Sequence, residues 1–291
     1  MKRILLFIMT NLAVLALLSL VVFVIEQVFH VRLGQGGLGS LMVMAAVFGF
    51  GGALISLMMS KWIAKRTMGV QVISEPRSEA EQWLVGTVTG LARKAGIGMP
   101  EVGIFEAEEM NAFATGARRD AALVAVSTGL LRGMSRNQIE AVLGHEITHV
   151  ANGDMVTLTL IQGVVNTFVI FLSRIIGNFV DRAVFRNERD EPGIGMFVAT
   201  MVSQIVLGIF ASMIVARFSR YREFRADRGG ANLAGTGNMV SALQALQHSH
   251  GAPLPPQMQA FGINTGTSGG IMQLFTSHPP LEARIAALQA H

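Results

Sequence analysis

Four long stretches without a charged residue constrain this chain more than any other feature, because about 20 apolar residues suffice for a helix to cross a bilayer. The first runs from Ile4 to Ile25 and the second from Leu33 to Ser60; the third covers 155–173 and the fourth 192–216. Charged residues make up 14% of the 291 positions, against about 25% in an ordinary soluble domain. The deficit falls in these stretches, and the remainder reads as a soluble domain. The expected class is a mainly α membrane protein with four hydrophobic helices and a small α+β domain.

Flanking charge sets the expected orientation. Lys2 and Arg3 precede the first stretch, and Lys61, Lys65 and Arg66 follow the second, outnumbering Arg32 in the short loop between. Positive residues stay on the cytoplasmic side, so the N-terminus and the region after Ser60 are expected there. A cleavable signal peptide would need a small-residue cleavage site, and none follows Ile25. The third stretch is interrupted by Arg174, and Arg217, Arg220, Arg222, Arg225 and Arg228 follow the fourth. A membrane hairpin accounts for this pair; two buried or partly inserted helices are the alternative. The division that results is 1–60 for the N-terminal spans, 61–154 for the first part of a catalytic domain, 155–216 for the apolar hairpin and 217–291 for the second part.

Within 61–154 the spacing predicts a helix from Glu79 to Ala95 burying Trp83, Val85, Val88 and Leu91. Short strands are expected around Val102–Phe105, Asn111–Thr115 and Ala121–Ser127, the last two joined by a turn at 116–120. Ser135 followed by Gln138 is a capping-box signal for a helix starting near Arg136. Residues 219–248 and 279–290 read as helices, separated by a Gly- and Pro-rich surface loop over 249–270.

The helix that starts near Arg136 carries His145-Glu146-Ile147-Thr148-His149. Residues four apart share a helix face, so two imidazoles at that spacing can hold one cation, and Glu146 can reach a water bound to it. Ile139, Val142, Leu143, Ile147 and Val150 provide apolar backing. The chain has no cysteine, which excludes thiolate ligands and disulfides alike. Ligands of this type point to zinc, although other divalent ions occupy such sites.

A catalytic zinc needs a third protein ligand. Glu223 and Asp227 lie four apart after the fourth apolar stretch. Glu223 is the proposed ligand, and Asp227 would accept a hydrogen bond from the outer nitrogen of a ligand histidine. Read alone, this segment is better taken as a solvated Arg-rich face with two compensating acids. A hairpin formed by 155–216 would return both ends to one cytoplasmic foot, where Glu223 meets His149. His248 and His250, two apart, fall on different helix faces and read as solvent-exposed.

These residues resemble the HtpX family of bacterial membrane zinc endopeptidases, relatives of the prenyl-protein (CAAX) processing proteases. The likeness spans nearly the whole chain and includes Asn111-Ala112-Phe113-Ala114-Thr115-Gly116, Gly144-His145-Glu146, Asn152-Gly153-Asp154 and His278-Pro279-Pro280-Leu281-Glu282. It implies a gluzincin-like fold with His145, His149 and Glu223 as ligands of one Zn²⁺, Glu146 as general base, and His278 as a donor to the oxyanion. It also implies ATP-independent quality control of misfolded or damaged membrane proteins in the bacterial inner membrane. The partners would be polypeptide substrates and the lipid bilayer, with no nucleic acid. Asn111, Ala112, Phe113 and Ala114 are expected to form an edge strand on which an extended substrate lies; an ordinary strand is the plainer reading.

Two other functions compete. An intramembrane protease would put the metal helix in hydrocarbon, for which Arg132, Arg136, Asn137, Gln138 and Glu140 are poorly suited. A non-enzymatic scaffold or transporter would use the metal structurally.

Overall fold

The computed structural model describes residues 20, 22–24, 26–28, 37–186, 192–248 and 276–290. Most of the first apolar stretch, the flanking Lys2, Arg3 and Arg32, and the whole 249–270 loop, His250 included, lie outside these residues.

The described chain is mainly helical with one small sheet. Its elements in order are α1 (Leu38–Met68), β1 (Gln71–Val72), α2 (Glu79–Ala95), β2 (Glu101–Phe105), β3 (Ala112–Thr115), β4 (Leu123–Ser127), α3 (Thr128–Gly133), α4 (Arg136–Asn152), α5 (Asp154–Ala183), α6 (Ile194–Ala234), α7 (Thr236–His248) and α8 (Leu281–Gln289). They divide into two compact units, one of Met1–Ser56 with Thr159–Val215 and one of Leu57–Leu158 with Ala216–His291.

In the first unit, α1, α5 and α6 supply the apolar helices. Among the described residues, these three are long and apolar enough to cross a membrane. Val164, Phe168, Leu172, Ile176 and Phe179 form an exposed stripe along α5, and Ile194, Phe197, Met201, Ile205 and Ile209 do the same on α6. Such stripes are costly in water and suit a lipid solvent, where each helix satisfies its own backbone. Small residues let α1 and α5 approach. A Cβ built on Gly49 would fall 2.6 Å from the backbone nitrogen of Thr167, so this contact is backbone against backbone. At the hairpin, the Asp181 carboxylate accepts hydrogen bonds from the backbone of Gly193 and Met196, each at 3.0 Å. The end of α5 thereby satisfies orphan N–H groups at the start of α6.

Both long helices exceed the sequence expectation. The third apolar stretch does not end at Arg174: α5 continues through it to Ala183. The fourth does not give way to a new helix at 219; α6 is a single 41-residue element reaching Ala234. Nothing in the Arg-rich segment breaks a helix, since arginine is a good helix former, and the break comes at Gly235, with φ 99°.

In the second unit, the sheet order is β1-β2-β4-β3. β2 and β4 run parallel, while β1–β2 and β3–β4 are antiparallel. β4 is central and buried throughout, which explains its unbroken apolar character. Val124 and Val126 face the main core, with Leu84, Val88 and Leu91 of α2, Val142, Leu143 and Ile147 of α4, and Leu243 and Leu246 of α7. Leu123 and Ala125 face the other side with Phe105 and Phe113.

Helix α2 has the expected bounds but a shifted buried face. Its capping box is complete, with Ser78 Oγ accepting from Glu81 N at 3.1 Å and the Glu81 carboxylate accepting from Ser78 N at 3.3 Å. The fully buried residues are Leu84, Val88, Leu91 and Ala92. Trp83 and Val85 flank that stripe and stay partly exposed. The Trp83 ring instead lies under the guanidinium of Arg136, 5.4 Å from its centroid.

Candidate metal centre

Helix α4 is delimited by chemistry at both ends. Ser135 caps it, the side chain of Gln138 accepts from Ser135 N at 2.9 Å, and Gly153 closes it in the left-handed conformation with φ 68°. Ile139, Val142, Leu143, Ile147 and Val150 are buried as expected. The pentapeptide therefore sits on a helix anchored along its length.

A close helix crossing brings α6 to this motif. A Cβ on Gly230 would lie 2.9 Å from the backbone nitrogen of His145, and one on Gly229 would lie 2.2 Å from the Thr148 methyl group. Only glycine fits there without displacing a helix. One to two turns earlier on α6 stand Asp227 and Glu223, both aimed at the histidines.

The three expected ligands converge. His149 Nε2 is 3.1 Å from His145 Nε2. The Glu223 carboxylate reaches His145 Nε2 at 3.5 Å and His149 Nε2 at 3.3 Å. A tetrahedral zinc with N and O ligands at 2.0–2.1 Å separates its donor atoms by about 3.3 Å, so the spacing fits one such ion. Among the described residues, these three are the one group of His and acidic side chains able to share a metal.

The outer nitrogens are also fixed. His145 Nδ1 lies 2.9 Å from Asp227 Oδ1, as the i, i+4 reading expects. His149 Nδ1 lies 2.7 Å from Asp154 Oδ2. Neutral imidazole has one N–H, and an acid on Nδ1 takes it, leaving the Nε2 lone pair for a cation. Burial disfavours a charged ring at His149, but the charge of Glu223 and hydrogen bonds to Asp154 and Glu223 win and raise its pKa to about 10. At His145 the same opposition, with Asp227 and Glu223 as partners, also raises the pKa.

Sequence reasoning did not assign Asp154 or Arg284 to the site. Asp154 is fully buried, pairs with Arg225, and accepts on its backbone carbonyl from Arg222 Nη1 at 2.8 Å. The signal was an acid directly after the Gly153 cap, where the chain reverses towards His149. Arg284 grips Asp227 from α8.

The remaining expected residues are distributed as follows. Glu146 is buried beside the ligands. His278 Nδ1 lies 2.7 Å from Glu223 Oε2, so the His-Pro-Pro turn reaches the centre. Ala112, Phe113 and Ala114 lie in β3, at the edge of the sheet, and Asn111 just precedes it; all four are buried. Phe113 packs against Phe105 with ring centroids 5.6 Å apart. His248 bonds the Gln244 carbonyl on an exposed helix end.

The family model for Peptidase family M48 matches residues 78–291. The chain belongs to peptidase family M48. Within this family it is an HtpX-type metalloprotease. It is 60% identical to Protease HtpX of Alkalilimnicola ehrlichii, over 99% of this chain and 98% of that protein. It is 59% identical to the Protease HtpX homolog of Thiobacillus denitrificans, over 100% of this chain and 99% of the relative. The solved structure of S. mikatae Ste24p resembles it with a TM-score of 0.65 at 18% identity, covering 99% of this chain. The chain spans 66% of the length of Ste24p, and that likeness concerns the fold alone. Family and apolar helices together describe an M48 membrane metalloprotease.

Proposed function

We propose that this chain is a zinc-dependent endopeptidase of the bacterial inner membrane, working on its cytoplasmic side to hydrolyse internal peptide bonds of misfolded or damaged membrane proteins without ATP. One observation carries the reading: His145 Nε2, His149 Nε2 and the Glu223 carboxylate converge, while both outer imidazole nitrogens are held by buried acids. The proposed membrane part is four spans, within 1–60 and 155–216, with the catalytic part built from 61–154 and 217–291.

His145, His149 and Glu223 would hold the zinc, which when bound acidifies a water molecule and polarises the scissile carbonyl. Glu146 accepts the proton of the attacking water and delivers it to the leaving amine nitrogen as the C–N bond breaks. His278, held against Glu223 through its Nδ1, is the side chain that would donate to the oxygen that gains charge. The edge position of β3 supports an extended substrate running beside Asn111–Ala114 and adding backbone hydrogen bonds.

The test combines metal analysis of the purified full-length chain with a Glu146→Gln variant assayed on casein and on an unfolded membrane protein. The variant should retain zinc and lose cleavage. Full cleavage by Glu146→Gln would remove the assigned base.

A further inference from the structure

Arg284 is fully buried, and it sits on α8, a helix seated in the main core by Leu281, Ile285 and Leu288. Burying a guanidinium is costly unless its donors are matched. Two of its nitrogens meet one carboxylate side-on: Nε lies 2.8 Å from Asp227 Oδ2 and Nη2 lies 2.5 Å from Asp227 Oδ1. Asp227 Oδ1 is also the atom that accepts from His145 Nδ1 at 2.9 Å. The 3.5 Å between Arg284 Nη2 and His145 Nδ1 is thus the separation of two donors sharing one acceptor. The third nitrogen, Nη1, has no hydrogen-bond partner and lies 3.7 Å from Glu223 Oε2.

We propose that Arg284 is a positioning residue of the metal centre, fixing the plane of Asp227 and, through it, the tautomer and ring orientation of His145, while Nη1 steadies Glu223. The proposal rests on the metal-site reading above. A carboxylate with one partner can rotate about its Cβ–Cγ bond and carry the imidazole with it. A two-point fork removes that freedom, and the planar guanidinium is the side chain that can supply it. A lysine would keep the charge and lose the fork. Through Arg284, helix α8 governs Asp227, 57 residues earlier on α6.

The experiment measures Zn²⁺ affinity by competition with a chromogenic chelator, and Co²⁺ visible absorption, on the full chain. Arg284→Lys should bind Zn²⁺ roughly 10–100-fold more weakly, with an altered cobalt spectrum and a normal Arg136→Lys control. Because a lone substitution can leave Asp227 as an unpaired buried charge, the double variant Asp227→Asn with Arg284→Met is measured alongside. It should regain thermal stability over Arg284→Met and remain weak for zinc. Wild-type affinity in Arg284→Lys would overturn the proposal. So would wild-type affinity in the double variant, since Arg284 would then be only a counter-charge. If the unsubstituted chain takes up no zinc, or His149→Ala binds it normally, the metal reading itself fails and this inference with it.

Discussion

The carboxylate of Asp154 lies 2.7 Å from the outer nitrogen of His149, five residues after it in the chain. Gly153, in the left-handed conformation, turns the chain so that the first acid of α5 faces back onto the last turn of α4. Asp154→Ala should weaken zinc binding roughly 10–100-fold by freeing the His149 ring. Asp154→Asn, which can still accept the N–H, should lose less. Chelator competition on the two variants ranks them, and equal losses would count against an orienting role.

Zinc competes with protons for its histidine ligands. Because the pKa of His149 is raised to about 10, each displaced proton costs about tenfold in apparent affinity per unit fall in pH below that value. Binding should therefore release protons into weakly buffered solution, measurable with an indicator dye.

The same shift affects the metal-free fold, with a definite sign. A raised folded-state pKa contributes stability that is complete below the ordinary histidine value, roughly 6.5, and is lost as pH climbs through about 10. With chelator present, the thermal midpoint should decline across that window. With saturating zinc the decline should be much smaller. Identical pH profiles with and without zinc would contradict it.

Gly230→Ala places a methyl 2.9 Å from His145 N and 3.2 Å from His145 Cα. Overpacking of this kind costs about 1–3 kcal/mol, and it separates the helices that carry the ligands. Both thermal stability and activity should fall. Gly208→Ala on the same helix meets nothing within 4 Å and should be neutral or mildly stabilising.

On α2, Leu84→Ala should cost about 2–5 kcal/mol, the range for a buried leucine, since Leu84 is fully buried. Trp83→Ala should cost less, because Trp83 is only partly buried at the edge of that core. Equal losses in a denaturation series would argue for the original assignment of the buried face.

That assignment illustrates what local pattern reveals. Both ends of α2 and the start of α4 were legible because caps are chemical events involving neighbours: Ser78 with Glu81, Gly96 after Ala95, and Ser135 with Gln138. The phase of a helix is harder to read. Trp83 and Leu84 are adjacent and both apolar, and a 100° rotation decides which is buried. The facing of Glu223 and Asp227 followed from their i, i+4 spacing, whereas Arg284 was invisible because its meaning comes entirely from Asp227, 57 residues away. Continuity of α6 was missed for the opposite reason. A change from apolar to charged composition marks a change of solvent, not an end of backbone hydrogen bonding.

The crossing at Gly230 restricts how this protein can change. The atoms that would meet a new methyl there include the main chain of His145, which no substitution can trim. A second-site suppressor of Gly230→Ala would have to displace a whole helix, and that displacement would carry Glu223 and Asp227 away from the histidines. Genetic selections should consequently recover true revertants at this codon and few compensating alleles.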